Sequence, residues 1–454
     1  MSDLLAARTQ FAVSLGFHII FASIGICLPL LMVIAEWLHL RTGDETYLVL
    51  AKRWAKGAAI LFAIGAVSGT IIAFQLGLLW PGFMKFGGAI IGMPFSMEGF
   101  AFFTEAIFLG IYLYGWDKLP ERLHLLTGAA VAVSGAVSGI FVVTANAWMN
   151  NPSGFALAPD GSVIPGSVDP IAAMFNPGWF QQTLHMTIAA YLATSAAVCG
   201  IHGYLLLRNR ESVFHLYALR IALGVMAVCA ILQPLSGDLS ARHIARAQPE
   251  KLAALEGQFK NEKGAPLRIG GIPYPSEHET KYALEIPKML SILAFHDPDA
   301  EIKGVESWPE VERPDTVVVH FAFQIMVGCG SALLGVSLLA LFLSWRKKPL
   351  RDQTWTLRLL ALCTPLGFAA VEAGWTVTEC GRQPWALYRV VKTAACVTPV
   401  PHLIVPFVAF GALYIFLSIA VVLLLKCQIV MTDGPNAMDR IRRDDAEEAA
   451  HASH

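Results

Sequence analysis

Nine apolar runs of about 20 residues or more recur along this 454-residue chain, and each can cross a hydrocarbon layer roughly 30 Å thick as a helix. They fall at approximately 11–38, 57–79, 95–115, 124–147, 181–206, 215–237, 316–345, 356–376 and 402–426. The sequence therefore predicts an all-α polytopic membrane protein. Composition agrees: only 15% of residues are charged, 55% are hydrophobic, and the mean hydropathy is +0.56. So few charges cannot clothe a protein of this size in polar surface, which makes the lipid bilayer its expected solvent. A formal net charge of −1 offers no basic face to displace counterions from phosphates, so no nucleic acid partner is expected. The eight cysteines form no Cys-x-x-Cys pair and mostly lie inside apolar runs, where they read as small buried hydrophobes. The first run is too long and starts too early for a cleaved signal peptide, and its leader MSDLLAARTQ lacks a strongly basic start.

Charge in the connections alternates. Arg41, Lys52, Arg53 and Lys56 join spans one and two, and Lys118 and Arg122 join three and four. Arg208 and Arg210 join five and six, and Arg346, Lys347, Lys348 and Arg351 join seven and eight. The tail adds Arg440, Arg442 and Arg443. Opposite them, the 79–94 loop has only Lys85 and the 148–180 loop has no Lys or Arg. Basic loops stay in the cytoplasm, so an outer N-terminus and a cytoplasmic C-terminus are expected. Arg382, Arg389 and Lys392 run against this trend, as if an anionic ligand held them outside.

The chain then divides into spans one to six (1–237), an outer loop (238–315), spans seven to nine (316–427) and a tail (428–454). Residues 239–315 hold 23 of the charged residues in 77 positions. A loop of this length and mixed pattern between packed helices is expected to be ordered and functional.

Ionisable groups inside spans are costly and by default functional. Here they are His18, Glu36, Glu98, Glu105, His185, Glu372 and Glu379. Glu36 lies near the inner end of its span, within reach of the interface. Glu98 and Glu105 are seven apart and so share a helix face, which suits a proton path or a cation site, or two structural acids neutralised by burial. His18 and His185, without paired acids, favour haem ligation, and Met326 offers a thioether for the far side of a haem. Glu372, Trp375 and Glu379 share a face if the helix runs that far, with Arg382 one turn on. Acid, tryptophan and arginine at a membrane boundary suit a redox group with anionic propionates. These residues alone leave open an oxidase, a proton-coupled membrane transporter and a b-type cytochrome anchor of a quinone-linked dehydrogenase. A transporter would show helices broken by Gly or Pro and an internal repeat, and no convincing repeat is seen.

Four motifs narrow the choice: Gly-Trp-x-x-x-Glu-x-Gly-Arg-Gln-Pro-Trp at 374–385, Met-Glu-Gly-Phe-Ala-Phe-Phe-x-Glu at 97–105, Ala-Asn-x-Trp-Met-x-Asn-Pro at 145–152 and Lys-Leu-Ala-Ala-x-Glu at 251–256. Over nearly its whole length the chain resembles subunit I of the cytochrome bd-type quinol oxidases. The resemblance implies quinol oxidation on the outer side and reduction of O2 to water with cytoplasmic protons, in a bacterial cytoplasmic (inner) membrane. It implies a low-spin haem b held by His185 and Met326. It also implies a high-spin pair, haem b with haem d or a further haem b in its place, whose ligands are His18 and Glu379, with Trp375 between haems. Glu98 and Glu105 match acids near the oxygen-reducing centre, and Ser138 a proton-path hydroxyl. Lys251 and Glu256 match residues of a loop that binds ubiquinol or menaquinol. A second membrane subunit (subunit II) is the implied partner, with a small single-span subunit left open. Two departures stand out. Gln324 occupies the place where many members carry an arginine, two residues before the axial methionine, and Ala106 replaces a serine. Only 70 positions separate Glu256 from Met326, similar to the short-loop branch that includes cyanide-insensitive oxidases.

Overall fold

The computed structural model describes residues 2–431. Thirteen α-helices are seen among them: α1 (Asp3–Thr42), α2 (Glu45–Leu79), α3 (Pro81–Tyr114), α4 (Glu121–Asn150), α5 (Pro170–Met174), α6 (Trp179–Arg208), α7 (Val213–Ala247), α8 (Pro249–Glu256), α9 (Met289–Phe295), α10 (Thr316–Trp345), α11 (Thr354–Leu362), α12 (Leu366–Cys380) and α13 (Ile404–Met431). Nine stretches of the described residues are long and apolar enough to cross a membrane, in the order expected. The framework is the all-α one read from the sequence. The start of the expected tail continues α13, and the rest, with Arg440, Arg442 and Arg443, lies outside the described residues.

Most helices overrun the apolar window that revealed them. α2 begins at Glu45, so Lys52, Arg53 and Lys56 belong to its first turns instead of a loop, and α7 continues ten residues past 237. Hydropathy marks the hydrocarbon-crossing part of a helix, whereas its ends are set by caps. Asp44 starts α2 by accepting from the Thr46 N–H at 2.8 Å, and Gly43, in the left-handed region at φ 71°, closes α1. Span eight is two helices, α11 and α12, broken at Cys363–Pro365. Pro365 supplies no N–H to continue the ladder, while the Thr364 hydroxyl satisfies the Ala361 carbonyl at 2.7 Å. α6 fits against this break with almost no clearance: a Cβ at Gly367 would stand 2.4 Å from the Ala193 Cα.

α1 packs against α2, α4 and α6, α3 against α4, α6 against α7, and α10 against α12. The loop between α7 and α10 is ordered and carries the largest β element, an antiparallel hairpin of Leu267–Tyr274 with Glu279–Ile286. A core of Leu252, Leu255, Phe259, Leu290 and Ile302 seats the loop on Val319 of α10 and Val377 of α12. Mixed polarity in the sequence thus corresponds to a small folded lobe resting on two membrane helices.

Candidate functional site

Three helices meet around Trp375. It packs against a buried cluster of Ile19 from α1, Ala193 from α6 and Val371 from α12, and so stands beside both the helix bearing His18 and the helix bearing His185. α12 is helical through Cys380, which puts Glu372, Trp375 and Glu379 on one face, as expected. Each histidine is anchored at Nδ1 by a serine hydroxyl of the neighbouring helix: His18 by Ser68 at 3.0 Å and His185 by Ser236 at 2.9 Å. Such a partner orients the ring and leaves Nε2 as the nitrogen that could serve as a ligand. The Gln233 amide nitrogen lies 3.1 Å from His185 Nε2, a contact that an iron at that nitrogen would replace.

Glycines face these side chains. A Cβ at Gly69 would stand 3.0 Å from His18 Cε1, one at Gly237 3.5 Å from His185 Cε1, and one at Gly374 3.1 Å from Met326 Sδ. Two imidazoles, a thioether and a carboxylate on four helices, with glycine opposite the first three, are a donor set that fits haem. Glu372, on the same face as Trp375, has no role among those the family resemblance implies. Its Oε1 is buried without a hydrogen-bond partner, and its Oε2 lies 3.1 Å from the place of a Cβ on Gly16.

The two acids of α3 do share a face, which is directed at α4. Glu98 accepts from the Ser138 hydroxyl at 3.4 Å, and a Cβ at Gly135 would stand 3.1 Å from Glu105 Oε1. Glu105 is 6% exposed and borders a small cleft lined by Gly25, Leu28, Leu61, Leu109 and Val131. Glu36 does not reach the interface. It is buried and paired with His124 at 2.8 Å, because α4 brings a histidine to the same depth.

The boundary of α12 and the loop holds the densest polar network. Glu379 accepts from Asn146 Nδ2 on one oxygen and from Arg382 at 2.5 Å on the other. Each carboxylate oxygen has two lone pairs, so both contacts leave acceptor capacity. Arg382 also donates to the Trp385 and Ala386 carbonyls. Asn150, one turn beyond Asn146, donates to its side-chain oxygen at 3.2 Å and accepts from Lys251 Nζ at 2.6 Å. Lys251 is therefore turned into the bundle. No hydrogen bond joins it to Glu256 among the described residues, in keeping with their five-residue spacing. Burial, with the nearby Arg382 cation, lowers the Lys251 pKa to about 7. Glu256, 4% exposed and with an unpartnered Oε2, is raised by burial to about 8, against the pull of Arg268.

The basic residues outside the charge trend are held by the protein itself: Arg382 by Glu379, Arg389 by Glu250 at 3.4 Å, and Lys392 over the Trp385 ring. Sequence reasoning had not assigned roles to Asn146 and Asn150. Asn146 lies inside the apolar span 124–147 and in the 145–152 motif, and Asn150 follows at i+4, on the same face if the helix continues past the span.

A family model described as cytochrome bd terminal oxidase subunit I matches residues 6–432. A solved structure of bd oxidase from Geobacillus thermodenitrificans is similar with a TM-score of 0.89 at 39% identity, covering 94% of this chain and 98% of that one. The cytochrome bd ubiquinol oxidase subunit 1 of Bacillus subtilis (strain 168) is 32% identical, over 94% of each chain. The cytochrome bd-II ubiquinol oxidase subunit 1 of Escherichia coli (strain K12) is 30% identical, over 95% of this chain and 97% of that one. With nine candidate spans among the described residues, a buried donor set and a match over residues 6–432, the chain belongs to the cytochrome bd terminal oxidase subunit I family, multi-pass membrane proteins that contain haem.

Proposed function

We propose that the chain is the quinol-oxidising, O2-reducing subunit of a terminal quinol oxidase, with quinol bound where α8 meets the hairpin. The observation that carries this reading is the polar chain from Lys251 through Asn150 and Asn146 to Glu379 and Arg382, which joins the loop to the end of α12. His185 and Met326 would hold a low-spin haem b. His18 and Glu379 would ligate the high-spin pair, haem b with haem d or a further haem b. Bound haem supplies one-electron transfer and O2 chemistry.

The chain's own residues do the rest. Glu256, once deprotonated, accepts a proton from the quinol hydroxyl. Lys251 holds a quinol oxygen, or fixes the corner through Asn150. Arg382 neutralises Glu379, and Trp375 fills the seam between the two histidine-bearing helices. Glu105, Ser138 and Glu98 line the α3–α4 interface and relay protons from the cytoplasmic side, where desolvated carboxyls suit reversible transfer. On this reading the loop 238–315 and the N-terminus lie outside and the C-terminus lies in the cytoplasm of a bacterial inner membrane. Subunit II is the expected partner, with ubiquinol or menaquinol as donor.

A reduced-minus-oxidised spectrum with haem extraction, combined with O2 uptake on quinol, tests the reading. Low-spin and high-spin haem together with quinol-driven uptake are expected. Absence of haem would leave a transporter, and b-type haem without uptake a dehydrogenase anchor.

A further inference from the structure

An isolated two-stranded hairpin is marginal in water, and its open edges present unpaired N–H and C=O groups. The hairpin of the outer lobe meets this difficulty in a specific way: side chains of α10 pair with one edge of its first strand. Gln324 Oε1 accepts from the Gly270 N–H at 3.0 Å, and its Nε2 donates to the Arg268 carbonyl at 3.1 Å. The carbonyl of one residue and the N–H two residues on are the pair that a single residue of a parallel neighbouring strand would engage. The Gln324 carboxamide thus substitutes for one residue of a missing strand.

His320, one turn earlier on the same face of α10, completes the attachment. Its Nε2 lies 3.1 Å from the Gly270 carbonyl oxygen and its Nδ1 2.9 Å from the Leu255 carbonyl oxygen. A neutral ring donates to one of these at a time. The ring is fully buried. Leu255 directly precedes Glu256, and the turn after it uses Gly257 in the left-handed region, φ 63°. A Cβ at Gly257 would come within 2.5 Å of the Thr280 hydroxyl of the second strand and 3.3 Å of His320 Nδ1. Thr280 in turn donates to the Gly257 carbonyl at 2.8 Å. The end of α8, both strands of the hairpin and α10 therefore converge on two side chains. Met326 follows Gln324 by two residues on that helix.

We propose that His320 and Gln324 are positioning residues for quinol oxidation. They hold the hairpin and the end of α8 against the helix that bears Met326, and so fix the distance and angle from Glu256 to that helix. The inference rests on the reading that quinol binds at this corner, and it concerns binding geometry, since neither side chain needs to touch the quinol.

The test uses the complete oxidase in membranes, a short-tailed water-soluble benzoquinol as donor, and Gln324→Met, which keeps length and removes both bonds. The expected result is an apparent KM raised about three- to tenfold with kcat within about twofold, the scale of losing one or two modest hydrogen bonds. Proteolysis at the exposed turn, Pro275 to Glu279, should accelerate about tenfold with haem content unchanged. Gln324→Glu, which retains the acceptor for Gly270, should fall between wild type and Gln324→Met. An unmoved KM with an equally protected hairpin overturns the inference, and so does a KM that rises only in step with haem loss. Glu256→Ala, measured in parallel, separates the two readings. Unchanged quinol kinetics in Glu256→Ala overturn the quinol site and the positioning role with it. A raised KM there beside an unmoved Gln324→Met overturns the positioning role alone.

Discussion

Glu105 and Glu379 are both carboxylates in membrane-spanning helices, and their surroundings supply them in opposite ways. Glu379 has a donor on each oxygen, Asn146 and Arg382, and Arg382 is itself tied to two carbonyls. Glu105 has glycines on two neighbouring helices, a cleft beside it, and no hydrogen-bond donor among the described residues. A carboxylate that accepts from a guanidinium on one oxygen and an amide on the other is tethered in position. One walled by apolar groups beside a cleft has no such tether. The same residue type is therefore tethered at the boundary with the loop and untethered in the middle of the bundle, which is the contrast the proposed relay role of Glu105 requires.

Removing one partner of the fixed pair should have the largest effect. Arg382→Ala leaves Glu379 uncompensated and should cost about 2–4 kcal/mol, somewhat less than breaking a fully buried ion pair because Glu379 is 28% exposed. Lower thermal stability and loss of high-spin haem absorbance would register it, and a stable variant with full haem content would break the comparison from the anchor side. Glu105→Gln keeps shape and hydrogen-bonding capacity but cannot ionise. O2 reduction should fall about 10²–10³-fold, the scale of general acid–base catalysis, while folding is spared and quinol still reduces the low-spin haem in rapid mixing. Full turnover would move the relay elsewhere.

The contrast sharpens at the loop. Asn150→Ala removes the acceptor of the buried Lys251 ammonium and should cost about 1–3 kcal/mol, the penalty of a buried unsatisfied group. Hydrogen exchange in α8 should accelerate, and unaltered exchange would show that Lys251 does not depend on Asn150. The smallest effect is a pH shift. Glu256 accepts a proton only when ionised, and with its pKa raised to about 8 the rate of quinol oxidation should climb as pH rises through that value. The raised value also means that the folded loop holds a proton the unfolded chain would release. Stability from this group is full below about pH 4.5 and is lost as pH rises through about 8. Glu256→Gln should flatten both profiles, and a rate profile that keeps its rise would assign the proton to another group.

The sequence alone determined the number and order of the spans, the shared face of Glu98 and Glu105, and the helical stack of Glu372, Trp375 and Glu379. Each follows from periodicity within one segment, where a 3.6-residue repeat and an apolar run are local properties. The four motifs identified the family from local strings of the same kind. Tertiary structure decided the partners. Lys251 reaches Asn150, 101 positions away, Glu36 meets His124 across 88, and Asn146 reaches Glu379 across 233. It also decided that Gln324 pairs with the edge of a hairpin 54 positions earlier in the chain. A buried polar group must find a donor or acceptor somewhere, and its chemistry alone does not name the partner. That choice is made by helix packing, which brings distant segments to the same depth and leaves only a few side chains within reach.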